Sequence, residues 1–274
     1  MNGSAATGRD EEGRAAGPTL GATFRRRSDP AVFVLSLGAL VLIWAASAWW
    51  LADPRVLPGP VEVAGTLLHE ARTGRLWDQM LPTVLRVAAA FVIAMTVGSA
   101  LGVALGMVPG LNRWVDPWVV VFLNLPALVV IVLCYLWIGL NETAAITAVS
   151  INKVAAVLVT VREGARTLDP DRAEMARVFR MPPGARLRHV VLPQLAPFLA
   201  AAARGGLAII WKLVLVVEFL GRPDGIGFKI HLAFQMFDVP EVLAYALSFV
   251  ALMLAVEYAL LQPWERRAAR WRQV

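Results

Sequence analysis

Six stretches of the chain are apolar enough and long enough to cross a bilayer core, and polar segments separate them. They cover 32–52 and, roughly, 84–108, 115–138, 143–161, 196–217 and 242–262. A spanning helix needs about 20 apolar residues, so the pattern predicts an all-α, polytopic bundle of six transmembrane spans. Residues 1–30 carry no apolar period and are rich in Gly, Ala and Arg, which predicts a disordered cytoplasmic tail ahead of a membrane domain over 31–274. The tail is too long for a signal-peptide leader, and the run after Arg25, Arg26 and Arg27 is long enough to stay in the membrane as an anchor. Between the first two spans, Pro54, Pro58 and Pro60 give an extended stretch. Val61, Gly65, Leu67, Leu68, Ala71 and Leu76 then recur at loose helical spacing, which predicts a short amphipathic helix on the outer face. Within the second span, Gly98, Gly102 and Gly106 form a smooth stripe that admits a neighbouring helix closely, which favours packing within one subunit over a subunit interface.

Charge fixes the orientation. Six spans put both termini on one side. With that side inside, 17 of the 26 Lys and Arg residues fall in the cytoplasm, six fall outside, and Lys153, Arg204 and Lys212 lie within spans. This is the asymmetry that the positive-inside rule requires. Trp49, Trp50, Trp114, Trp118, Trp137 and Trp264 all fall at span ends, where indole rings favour the interface. The composition, 58% hydrophobic and 17% charged, departs from that of a soluble domain in the same direction. The net charge of +6 is then explained by cytoplasmic loops, and no nucleic-acid partner is implied. Cys134 is the only cysteine, so no intrachain disulfide can form.

The inside loop over 162–193 holds more than topology needs. Asp169 before Pro170 is a strong helix start, because the carboxylate caps free backbone N–H groups and proline suits the first helical position. A short helix is expected over 171–180. Pro182, Pro183 and Gly184 should then break it, and a second short helix should run over 185–191 and stop at Pro193. A capped helix of this kind on the cytoplasmic face suits docking to a partner.

The run Ala173-Glu174-Met175-Ala176-Arg177, followed by His189-Val190-Val191-Leu192-Pro193, resembles the Glu-Ala-Ala loop of type I ABC importer permeases. Leu57-Pro58-Gly59-Pro60, Leu136-Trp137-Ile138-Gly139, Glu218-Phe219-Leu220-Gly221 and Gly225-Ile226-Gly227 are similar to segments of the nitrate, taurine and aliphatic-sulfonate subfamily, and the likeness spans about 31–270. The resemblance implies a permease subunit of a bacterial inner membrane, working with a second permease subunit (a homodimer), a cytoplasmic ABC ATPase dimer and a periplasmic substrate-binding protein. It assigns ATPase coupling to Asp169, Ala173, Glu174, Met175, Ala176, Arg177, Phe179, Arg180 and Gly184, with Ala176 where the two surfaces come closest. The chain has no Walker sequence, so ATP and magnesium belong to the partner ATPase; no catalytic residue, cofactor or metal is expected here. Three departures stand out. Met175 replaces the first alanine of the motif. Arg180 replaces the motif glycine, which moves the expected turn to Pro182-Pro183-Gly184. Asn152-Lys153 replaces an aromatic-aromatic-proline run in the fourth span.

An ionisable side chain at mid-membrane costs about 2.5–3.5 kcal/mol unless it is paired or hydrated. Asn152, Lys153, Lys212 and Glu218 are therefore candidates for the translocation pathway, and a lysine there favours an anionic solute. Lys212 and Glu218 are close enough in sequence to share one helix end. A membrane enzyme would need clustered His, Asp or Glu, whereas His69, His189 and His231 lie on separate segments. A stand-alone secondary transporter would show an internal repeat, and none is visible.

Overall fold

The computed structural model describes residues 30–257 and 259. The expected tail ahead of Pro30, Trp264 and the basic cluster over 266–272 lie outside the described residues. The order is α1 (Pro30–Leu51), α2 (Pro60–Arg72), α3 (Arg75–Met107), α4 (Pro109–Asn124), α5 (Ala127–Ile138), α6 (Glu142–Arg166), α7 (Pro170–Val178), α8 (Pro183–Arg186), α9 (Leu192–Gly221), α10 (Ile226–Gln235) and α11 (Val239–Val256). No strand occurs among the described residues. Five helical stretches are long and apolar enough to cross a membrane, and α4 with α5 makes a sixth if the two are counted as one span.

That sixth crossing corrects the expectation of one continuous helix over 115–138. The chain bends by 96° between α4 and α5. The cause is Pro126: its ring disfavours helical geometry in the residue before it, and Leu125 is extended with φ −67° and ψ 126°. A second correction concerns the start of α3. It begins at Arg75 rather than near 84, with Pro82 inside it. Two polar side chains of its first turns face other protein: the Gln79 side-chain carbonyl accepts from Gly225 N–H, and the Thr83 hydroxyl accepts from Ile226 N–H.

A third correction concerns 183–193. The second short helix does not stop at Pro193. A π-turn over Leu187–Val191 carries α8 without interruption into α9, so one helical stretch runs through Pro183–Gly221. The N–H of Leu192 reaches back to the Leu187 carbonyl, five residues away, and this wider register admits prolines that have no N–H to give.

The core is built on α3 and α6, which lie side by side in parallel. A Cβ added at Gly98 would sit 2.7 Å from Val157 Cβ, one at Gly102 2.9 Å from Val161 Cβ, and one at Gly106 2.5 Å from Ala165 Cβ. Four-residue spacing on both helices thus brings the two backbones together, as the glycine stripe predicted. Helix α9 crosses antiparallel, and Gly164 of α6 meets the Phe198 ring at its inner end. The expected amphipathic helix is α2. It is tied to the bundle through Glu70, which accepts from the Tyr245 hydroxyl of α11 and pairs with Arg75. Among the residues of α1 whose burial is described, none is buried, and the helix meets the rest near its outer end, where Trp44 Nε1 donates to the Pro58 carbonyl.

Candidate functional site

The inside loop forms as a capped helix. The Asp169 carboxylate accepts from Asp171 N–H at 2.9 Å, and Pro170 opens α7. The loop is fixed to the membrane domain because Gln194 of α9 accepts from Asp169 N–H, while its amide donates to the Val190 carbonyl. The turn that ends α7 falls at Arg180, which corrects the expectation of a turn at Pro182-Pro183-Gly184. Arg180 is left-handed, with φ +47°, and Met181 N–H reaches back to the Ala176 carbonyl at 3.0 Å. Gly184 is exposed, and an added Cβ there would meet nothing within 4 Å. The resemblance places a glycine at position 180, and left-handed geometry is what glycine adopts without steric cost.

Ala176 is 2% exposed within its own chain, so it packs inward rather than at a free surface. That corrects the idea that Ala176 marks the tightest point of a partner contact. Ala173 is half-buried, while Glu174, Arg177 and Arg180 are exposed. The free face of the loop is apolar: Met175 is 46%, Val178 78% and Phe179 74% exposed.

The charged residues of the spans separate into three kinds. Glu218 is fully buried and does not share a helix end with Lys212. Its carboxylate accepts from Arg86 at 2.8 Å, from the Thr83 hydroxyl at 3.0 Å and from Gly227 N–H at 2.9 Å. Arg86, itself 3% exposed, also pairs with Glu142 and Asp224, and Arg222 pairs with Glu142 at 2.7 Å. Five charged side chains thus join the outer ends of α3, α6 and α9 to the loop after α9. Close packing around Glu218 requires the two glycines of the Gly-Ile-Gly that follows. A Cβ at Gly225 would lie 2.4 Å from Glu218 Cδ, and one at Gly227 would lie 2.3 Å from the Leu215 carbonyl oxygen. Arg86 is one of the six charges assigned to the outside by the sequence, and the cluster it forms was missed because its members are up to 138 residues apart.

The second kind is Lys212, exposed on α9 and in no ion pair among the described residues. The third is Lys153. It is 5% exposed in the middle of α6, and its stem lies against Gly206 of α9, where an added Cβ would be 3.0 Å from Lys153 Cε. The neighbouring Asn152 spends its amide on its own helix, donating to the Ala148 carbonyl. Near the inner face, buried Arg162 bonds Asn112 and Asp116 of α4, and Arg204 pairs with Glu257 at 3.9 Å.

A multi-span helical bundle with its charges paired at the outer end, and an arginine-rich loop presenting a capped helix with one apolar face, is the build of a membrane transport subunit. The chain belongs to the binding-protein-dependent transport system inner membrane components, whose family model matches residues 94–262. It is therefore a multi-pass ABC transporter permease subunit, and not an enzyme. It is 31% identical over 238 residues to the putative aliphatic sulfonates transport permease SsuC of Escherichia coli K12, covering 85% of this chain and 88% of that one. To the riboflavin transport system permease RibX of Chloroflexus aurantiacus it is 28% identical, covering 86% and 88%. Among solved structures, a chain of an amino acid ABC transporter with histidines shares the fold at a TM-score of 0.58 and 22% identity, covering 73% of this chain and 98% of that one.

Proposed function

We propose that this permease carries a small sulfonate-like anion inward across a bacterial inner membrane. Two copies pair to form the pathway, a periplasmic binding protein delivers the solute, and a cytoplasmic ATPase dimer using ATP and magnesium drives the cycle. The ATPase docks on the loop over 162–193. The observation that carries the coupling assignment is the face of α7 made by Met175, Val178 and Phe179, three large apolar side chains exposed on a loop otherwise rich in arginine. Apolar surface fixed on a capped helix, and itself anchored to α9 by Gln194, supports a docking site that transmits force. Glu174 and Arg177 flank that face as exposed charges that can pair across the interface. The sulfonate-like class is supported by the Escherichia coli relative.

Phe179→Asp places a charge on this face without changing the buried side of α7, where Ala176 packs. Expected is loss of roughly 10-fold or more in ATPase association, read by co-purification under mild detergent, with the permease still monodisperse. Wild-type recovery of the ATPase with Phe179→Asp would overturn the docking assignment.

A further inference from the structure

We propose that Lys153 is an anion-binding site within the membrane, holding the acidic group of the transported solute at the seam of α6 and α9. The inference rests on the permease reading and adds the residue that recognises the solute's charge.

Lys153 stands 11 residues after Glu142 and 13 before Arg166 on α6, so about 16–20 Å of helix separates it from either end. A snorkelling lysine extends its stem toward the nearer membrane face. This one is 5% exposed and lies across Gly206, where a Cβ would come 3.0 Å from its Cε and 3.9 Å from its Nζ. The ammonium is thus laid against the backbone of α9 at mid-depth. It offers three N–H donors, yet it makes no hydrogen bond or ion pair among the described residues.

The acids on the two helices cannot reach it. Glu142 and Glu218 are held by Arg86, and Glu163 by Arg162 and Arg166. Glu163 is ten residues further along α6, about 15 Å away. Glu218 is twelve residues from Gly206 along α9, about 18 Å away. A buried cation without a counter-charge is among the costlier states a membrane protein can hold, and both arginines buried among the described residues, Arg86 and Arg162, are paired with carboxylates. The missing counter-charge is the ligand. An ammonium acts as a point charge and does not select a planar fork, so it suits a sulfonate, a carboxylate or nitrate alike. Relatives named for a sulfonate and for riboflavin, an uncharged molecule, are similar to this chain at comparable identity. Preference for an anion is therefore argued from Lys153 rather than from kinship.

The test uses the permease–ATPase complex in nanodiscs of phosphatidylcholine, with radiolabelled ethanesulfonate as the probe. Expected is saturable binding that nitrate and acetate displace and ethanol does not. Lys153→Gln should weaken it by roughly 10- to 100-fold, and Lys153→Arg should restore most of the affinity in an equally monodisperse complex. The proposal is overturned if wild type binds no ethanesulfonate, or if Lys153→Gln binds it as tightly. ATPase recovery in the same preparations separates the two readings. An ATPase that fails to associate with wild type sinks the permease–ATPase assignment, whereas normal association without anion binding sinks only the role of Lys153.

Discussion

Arg180 is an arginine in glycine's place. Its left-handed φ of +47° costs an L-residue about 1–2 kcal/mol, and the turn is held by Met181 N–H on the Ala176 carbonyl. Arg180→Gly removes that strain, while the greater unfolded-state freedom of glycine offsets about 0.5–1 kcal/mol of the gain. The balance is a net stabilisation of up to about 1 kcal/mol, confined to the end of α7. Hydrogen exchange at the Met181 amide should slow by up to about 5-fold; faster exchange would show that the arginine side chain, not the backbone, sets the turn. Gly184→Ala should leave the same amide unchanged, because position 184 has open space around it. The register that aligns Arg180 with a motif glycine was legible in the sequence. That the backbone keeps glycine geometry regardless of the residue was not, since φ follows from the closing hydrogen bond and not from composition.

Elements were legible where one helix's own periodicity specifies them. The four-residue spacing of Gly98, Gly102 and Gly106 predicts a smooth face, and α6 fills it with Val157, Val161 and Ala165 at the same spacing. A Cβ at Gly102 already falls 2.7 Å from the Leu158 carbonyl oxygen, a backbone atom that cannot step aside alone. Gly102→Leu should therefore part α3 from α6 and cost about 1–3 kcal/mol, seen as a lower melting temperature in detergent. Gly65→Leu, in open space on α2, serves as the control, and equal melting of the two variants would contradict the packing. Proline was the ambiguous signal. Pro82, Pro117 and Pro197 lie inside continuous helices, whereas Pro126 lies at a 96° bend. The sequence around each is apolar or mixed, so nothing local separates the cases. A proline in this sequence thus marks where a helix can break and not whether it does.

At the scale of the whole molecule, the outer end is closed by charge. Arg86 brings together α3, α6, α9 and the loop after α9, through residues that no sequence spacing associates. Its partners differ in what they lose without it. Glu142 and Asp224 are 49% and 42% exposed, keep water, and have Arg222 nearby. Glu218 is fully buried and would retain only the Thr83 hydroxyl and Gly227 N–H. Arg86→Met thus strands a carboxylate in an apolar interior, which costs about 3–5 kcal/mol. The companion variant Glu218→Gln keeps a side chain that can still accept from Thr83 and Gly227, and it removes the charge that needs pairing. The double variant Arg86→Met/Glu218→Gln should therefore melt well above Arg86→Met alone, recovering more than half of the loss, since the cost comes from the unpaired charge rather than from missing attraction. Thermal unfolding of the four proteins in one detergent measures this coupling directly. Additive losses in the double variant would mean that Arg86 and Glu218 contribute independently, and that the packing around Gly225 and Gly227, not the buried ion pair, holds the outer ends together.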